Sequence, residues 1–356
     1  GIGRIGLPTA LSFAKSGLQT IGVDINEKLV KDINSKKFPL MDEPGYENIF
    51  NDVLEKKLFS ATTKIEDNFS IGVCPENANP GEILHDFTHL PRLVGGINQN
   101  ITKIITMIYK YIFSVDLIEM ENCKTANAVK LTTNVFRDIN IAFVSELALM
   151  FEKLGIDTMK VLEAAKLKYN FQVHYPGAGV GGPCLPINSY QLLNTARRTG
   201  VKLSIVESGR KINETMPDHV IELTSNAFEE CKKSLENSEI LILGLSYKPN
   251  VKDIQLSPAK HIIEKFQKLG VNVHVYDPFF LSSEVFGLKV EENLENTLSK
   301  MDGAIIVTGH DDFKKIPLSS FTKMKSKILI DCRGIIDPIS VKNEKIIFRG
   351  LGRGNH

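Results

Sequence analysis

The sequence has no excess of charge: 43 Lys and Arg stand against 42 Asp and Glu, a formal net charge of +1. That balance lacks the electrostatic footprint of a nucleic-acid binder or of a protein drawn to an anionic membrane surface. Long hydrophobic runs are also missing. No stretch approaches the roughly 18 to 20 apolar residues of a membrane span, and no signal-peptide pattern opens the chain. Cysteine is scarce: five residues, odd in number and widely spaced. This excludes a disulfide framework and a cysteine metal cluster and suits a reducing compartment. The expectation is a soluble, cytoplasmic protein. Its 356 residues, 42% of them hydrophobic, are enough for two or three domains.

The chain opens on Gly1-Ile2-Gly3-Arg4-Ile5-Gly6, which fits the dinucleotide fingerprint G-x-G-x-x-G. Leu7 to Ser16 reads as the helix that follows, and Gln19 to Val23 as a strand ending at Asp24. An acid about 20 residues after the first glycine is where a ribose hydroxyl is held, with the pyrophosphate on the helix N-terminus. Asp24 would repel a 2′-phosphate, which favours NAD over NADP. The alternative is a glycine-rich turn beside a capping aspartate. The fingerprint calls for a strand before Gly1 and for more parallel strands than Ser70 to Cys74 and Arg92 to Ile97 supply. Residues are therefore expected to be absent before Gly1 and near the Ser70/Ile71 junction.

Thr125 to Leu154 reads as a long helix ended by Gly155, and a second helix runs to Ala165. Lys130, Asn134 and Arg137 fall at i, i+4 and i+7, on one face. That stripe is either solvated or lines a polar site. Paired long helices of this kind often form a dimer core. Beyond them comes Pro176-Gly177-Ala178-Gly179-Val180-Gly181-Gly182-Pro183-Cys184-Leu185-Pro186. Glycines let backbone approach a ligand closely, and a thiol presented there suits a covalent nucleophile. A structural free thiol is the competing reading.

Strand patterns return at Glu239 to Gly244, Val271 to Asp277, Ala304 to Thr308 and Lys327 to Asp331, with a helix over Pro258 to Leu269. Near-continuous apolar strands separated by helices predict a parallel sheet covered on both faces. Ligands bind such sheets at the carboxyl ends of the strands, where Lys248, Asp277, His310 and Arg333 fall. Lys248 and Arg333 suit a phosphate-bearing ligand, whereas Asp277-Pro278 and Asp311-Asp312 could be plain turn residues.

Taken in order, these motifs resemble the UDP-glucose/GDP-mannose dehydrogenase family almost end to end. The matching stretches are Gly1 to Ala10, Cys74-Pro75-Glu76-Asn77-Ala78-Asn79-Pro80-Gly81, Lys130 to Asn134, Gly177 to Pro186 and Gly244 to Asn250. The resemblance implies an α/β fold of three parts. These are a Rossmann-like NAD domain over 1–118, a central helical and dimerisation domain over 119–225, and a Rossmann-like UDP-binding domain over 226–356. It also implies a homodimer or higher homo-oligomer. The implied activity is oxidation of the C6 hydroxymethyl of a UDP-sugar to a carboxylate with two NAD⁺ and one water, for surface polysaccharides or protein glycans.

Gly179 to Gly182 and Asn134 to Arg137 look closer to the branch acting on UDP-N-acetylhexosamines, with mannosamine ahead of glucosamine. UDP-glucose, or a non-catalytic nucleotide-sugar binder, is the alternative. A two-electron hydroxyacid dehydrogenase is a further one. By resemblance, Cys184 forms the thiohemiacetal and thioester, Lys130 stabilises the oxyanion, Asn134 orients oxygen atoms and Glu76 serves as base for the hydrolytic water. Gly1, Gly3, Arg4, Ile5, Asp24 and Gln255 would hold NAD. Arg137, His174, Gly181, Lys248 and Arg333 would hold the UDP-sugar. Two positions depart from the family pattern. Asn188 stands where an aspartate is usual, and an amide cannot take a proton at neutral pH. Gln255 stands where an arginine is common.

Overall fold

The computed structural model describes residues 1–40, 45–64, 71–76, 78 and 82–354. The Ser70 end of the junction, Asn77 and Asn79-Pro80-Gly81 lie outside them. The chain divides into two compact units, Gly1–Thr132 and Thr133–His356.

The first unit runs α1 (Gly6–Lys15), β1 (Thr20–Val23), α2 (Glu27–Asn34), α3 (Tyr46–Glu55), β2 (Phe59–Thr62), β3 (Gly72–Val73), α4 (Ile83–His89), β4 (Arg92–Gly96), α5 (Gln99–Ile112) and β5 (Leu117–Glu119). β1 and β2 form a parallel pair. β3, β4 and β5 form a separate sheet in which β3 is antiparallel to β4 and β5 is parallel to it. Leu7, Leu11 and Ala14 of α1 bury against Phe50, Val53, Phe59 and Phe87. Asn26 and Asn98 cap α2 and α5 by accepting the amides of Leu29 and Ile101, satisfying donors that a helix start leaves orphaned.

The boundary between the units falls inside α6 (Cys123–Leu154). The second unit continues with α7 (Thr158–Ala165), α8 (Leu185–Arg198), α9 (Ser204–Glu230), β6 (Glu239–Leu243), α10 (Pro258–Lys268), β7 (Asn272–Tyr276), β8 (Glu284–Val285), β9 (Leu288–Lys289), α11 (Leu294–Leu298), β10 (Gly303–Ile306), α12 (Leu318–Phe321), β11 (Ile328–Asp331), α13 (Pro338–Lys342) and β12 (Ile347–Gly350). Five parallel strands line up as β12-β11-β10-β6-β7.

Their side chains alternate between two cores, as strand geometry demands. Ile240, Ile242, Ile305, Ile328 and Ile330 face one core together with α9 and α10. Leu241, Leu243, Ala304, Ile306 and Leu329 face the other. This is why the strands read as unbroken apolar runs. The first core also takes in Ala148, Ala178, Met216 and Val220, so the helical middle and the sheet share one interior. Among the described residues no helix is long and apolar enough to cross a membrane, and no group of three or more His, Cys, Asp or Glu could hold a metal ion.

Candidate active site

In sheet order the strands of the second unit run second, first, third, fourth, fifth. The chain therefore reverses direction between β6 and β10, the crevice where such sheets take ligands. The loop after β6 carries Lys248, half-buried, and is held by a fully buried pair. Asp277, at the end of β7, accepts the amides of Leu245 (2.7 Å), Ser246 (3.2 Å) and Phe279 (2.9 Å). His310, after β10, meets Asp277 Oδ2 at 3.1 Å through Nε2, and its Nδ1 accepts the Asn250 amide at 2.9 Å. The proton is thereby assigned to Nε2. Burial alone would push the Asp277 carboxyl up, but His310 and the amides outweigh it and hold it below the ordinary range. Asp277 is thus more than a turn residue: with His310 it fixes the loop that presents Lys248.

Arg333 follows β11 in a turn built by Asp331, whose buried carboxylate accepts the amides of Arg333, Gly334 and Ile336. Burial pushes the Arg333 pKa below its ordinary value. Its guanidinium lies against Gly177, where a Cβ would come within 2.4 Å of Nη1. The same glycine loop meets the segment after Lys248 further along. A Cβ on Gly181 would stand 2.4 Å from the Leu256 carbonyl oxygen. Gly182, at φ +88°, leaves no room for a side chain beside the Tyr247 ring. The Gly182 amide donates to the Gln255 carbonyl at 2.8 Å. The glycine loop that ends at Cys184 thus meets Arg333 at Gly177 and the Gln255-Leu256 segment at Gly181 and Gly182.

Cys184 is exposed and occupies the N-cap of α8. The positive end of the helix dipole favours negative charge developing there. One turn on, Asn188 accepts from Asn134 Nδ2 of α6 at 2.5 Å and donates to Gln191 at 3.0 Å. Lys130, Asn134 and Arg137 do share a run of α6, with Arg137 exposed and the other two half-buried. His174 packs edge-on to Phe136, with ring centroids 6.2 Å apart. Sequence reasoning missed Tyr247 and Leu256. Leu256, at φ +49°, is a strained position that composition does not reveal.

In the first unit, Gly1, Gly3, Arg4 and Ile5 lead into α1. A Cβ on Gly6 would collide with the Gly1 carbonyl at 1.8 Å, whereas nothing lies within 4 Å of a Cβ on Gly3. Asp24 accepts the amides of Ile2 (2.8 Å) and Asn26 (2.9 Å). The Asn26 amide first, then that of Ile2, keeps its carboxyl below the usual range. The open face over Gly3, the N-terminus of α1 and an ionised Asp24 fit a dinucleotide's pyrophosphate and ribose. Glu76 pairs through Oε2 with Arg92 (2.7 Å), and its Oε1 accepts the Ala78 amide (3.0 Å). Gln255, the remaining candidate for NAD, belongs to the second unit.

A dinucleotide fingerprint, an exposed cysteine at a helix start and a second α/β sheet with Lys248 at its switch point fit an NAD-dependent dehydrogenase of nucleotide sugars. The NAD binding, central and UDP binding domain patterns of the UDP-glucose/GDP-mannose dehydrogenase family match residues 1–70, 124–215 and 241–338. The chain belongs to that family. It is 28% identical to the UDP-N-acetyl-D-mannosamine dehydrogenase of Pyrococcus horikoshii, over 100% of this chain and 98% of that one. It is 33% identical to the UDP-N-acetyl-D-glucosamine 6-dehydrogenase of Salmonella typhi, over 70% of this chain and 59% of that one. The solved UDP-D-ManNAc dehydrogenase of P. horikoshii superimposes with a TM-score of 0.89 at 27% identity, covering 100% and 99% of the two chains. The first of these alignments runs over 426 positions against 356 residues here, so that relative carries positions this chain lacks.

Proposed function

We propose that this protein oxidises the C6 hydroxymethyl of UDP-N-acetylmannosamine to the uronic acid, with Cys184 as covalent nucleophile. The observation that carries this reading is Cys184 itself: exposed, at the start of α8, at the end of a glycine loop fastened to the loop that bears Lys248. The names of the relatives support the substrate, and UDP-N-acetylglucosamine is the second choice.

The sugar alcohol gives a hydride to a first NAD⁺ and a proton to solvent, leaving an aldehyde. The Cys184 sulfur adds to that carbon to form a thiohemiacetal. The thiohemiacetal then loses a second hydride, which a second NAD⁺ would accept, and its hydroxyl proton to solvent, giving a thioester. Water then splits the carbon–sulfur bond, releasing the acid and the free thiol. Holding the intermediate on sulfur keeps the aldehyde in the site through both oxidations. Asn134, held by Asn188, would orient the substrate oxygen, and Lys130 would stabilise developing negative charge. Lys248 and Arg333 would bind the diphosphate and adjoining sugar, with His174 and Arg137 on the sugar side.

The homodimer belongs to the same reading. Phe136, Phe143, Met150 and Leu154 are exposed along α6. With Asn140 and Leu147 they recur at alternating spacings of four and three, the seam by which one helix packs on another. A second copy of α6 fits that seam.

A panel of UDP-sugars with NAD⁺ tests the reading. Close to two NADH per UDP-N-acetylmannosamine is expected, with Cys184→Ser stopping after one. One NADH per sugar in the wild type would indicate a two-electron dehydrogenase. UDP-sugar binding with no NADH would indicate a binder.

A further inference from the structure

Directly behind Asn188 lies a polar cluster that no role so far described uses. Asp138, Ser189, Arg210 and Asn213 are each at most 4% exposed. Ser189 donates to Asp138 Oδ2 at 2.6 Å. Arg210 and Asn213 both donate to Oδ1 at 2.8 Å, and Asn213 also reaches the Asp138 carbonyl at 2.9 Å. Arg210 extends the chain to Glu214 at 3.2 Å, and Tyr190 donates to the same carboxylate. Three helices meet here: α6 through Asp138, α8 through Ser189, and α9 through Arg210 and Asn213.

Two features separate this cluster from ordinary packing. Asn134 and Asp138 are one turn apart on α6, and their partners Asn188 and Ser189 are consecutive on α8. The bonds thus form two adjoining rungs in the first turns of the helix that Cys184 begins. The apolar cluster that joins the same three helices is small: Val135, Leu193 and Val206 are buried in it, with Ile139, Leu192 and Leu203 partly buried against them. Apolar contacts resist separation but tolerate sliding and rotation. Directional bonds to a buried carboxylate fix both. A buried ion pair is a poor source of net stability and a good source of a unique arrangement.

We propose that Asp138, bridging Ser189 to Arg210 and Asn213, is a positioning residue that sets the rotation of α8 and so the attack geometry of the Cys184 thiol. This rests on the covalent reading above. Misplacement of about 1 Å can cost two orders of magnitude in rate, so the step made by sulfur should suffer while nucleotide-sugar binding does not.

The test uses Ser189→Ala, which removes one bond and leaves Asp138 neutralised by Arg210. Val220→Ala, a core change in α9 outside the cluster, serves as control for mere destabilisation. Three quantities are read in the full-length protein: kcat and KM for the UDP-sugar, aldehyde trapped by hydroxylamine per NADH, and the rate of Cys184 alkylation by iodoacetamide mapped by mass spectrometry. Cys231, about 27 Å further along α9 from Asn213, is the internal reference. For Ser189→Ala we expect kcat to fall about tenfold or more with KM within twofold, aldehyde to escape, and the Cys184 alkylation rate to change several-fold while that of Cys231 does not. Val220→Ala should do none of these. A Ser189→Ala protein that loses only thermal stability, with Cys184 alkylation and aldehyde escape unchanged, overturns the proposal. The alkylation rate needs no turnover. If the wild type makes no NADH while Ser189→Ala still shifts that rate selectively, the positioning role stands and the covalent dehydrogenase reading falls.

Discussion

Glu76 shows how neighbours decide what a single side chain can do. The resemblance makes it a base, but the Arg92 guanidinium it pairs with is almost fully buried. That guanidinium is stacked 4.2 Å from the Phe87 ring centroid and 4.0 Å from that of Phe113. Removing one member of a buried ion pair costs about 3–5 kcal/mol, because the other charge stays behind. Glu76→Gln is therefore expected to lower the unfolding free energy of the first unit, read from urea melts, by an amount near that range. An unchanged unfolding free energy would reject that structural role, and thioester accumulating on Cys184 in intact-mass spectra of the same variant would support the base role that the resemblance implies. The neighbours Arg137 and Asp138 make a related point. Sequence spacing singles out Arg137, which proves exposed, and passes over Asp138, which is buried. An aspartate in an amphipathic helix reads as solvated. Its partners Ser189, Arg210 and Asn213 lie 51 to 75 positions away, a separation that no local pattern encodes.

Among the elements, those with a strong period were legible. α1, α6, α10 and four of the five strands of the parallel sheet fall where apolar spacing puts them, because burial on two faces leaves an unbroken hydrophobic run. β12 escaped notice: it is an edge strand, half-buried over most of its length, so its run is short and mixed. β2 escaped because only Phe59 and Ala61 turn inward, and two alternate residues are too few to mark a strand. The long α6 carries a prediction of its own. A charge placed in the centre of its exposed seam has no counter-charge and cannot be desolvated cheaply. Phe143→Glu is expected to convert the proposed dimer into a monomer with an intact far-ultraviolet spectrum. Light scattering after size exclusion reads the outcome, and a wild type that is itself monomeric rejects the dimer.

For the molecule as a whole, Asp277 contributes to the acid side of its stability curve. Asp277 has a folded pKa below its unfolded value. Its contribution is present above the unfolded value, about 3.9, and is lost as pH falls through the folded one. That contribution should hold down to about pH 4 and fall away below it. In Asp277→Asn that loss on acidification should be smaller, from a lower starting stability. Urea midpoints between about pH 3 and 7 decide it; parallel curves for the two proteins would sink the assignment. The sheet order that creates the ligand crevice was not readable in advance. Strand patterns give the members of a sheet, but which strand lies beside which depends on crossovers that no single segment records.

The bond that fastens Gly182 to residue 255 runs from main chain to main chain. Its strength is therefore indifferent to the side chain at 255. An arginine could be exchanged for glutamine there in one step without loosening the cysteine loop, so that position is free to drift and to be recruited for other contacts. Gly181 and Gly182 have no such latitude, since every other residue carries a Cβ that would meet Leu256 or Tyr247. Along a few ångströms of one contact, the chain thus offers evolution a permissive partner on one side and an immovable one on the other.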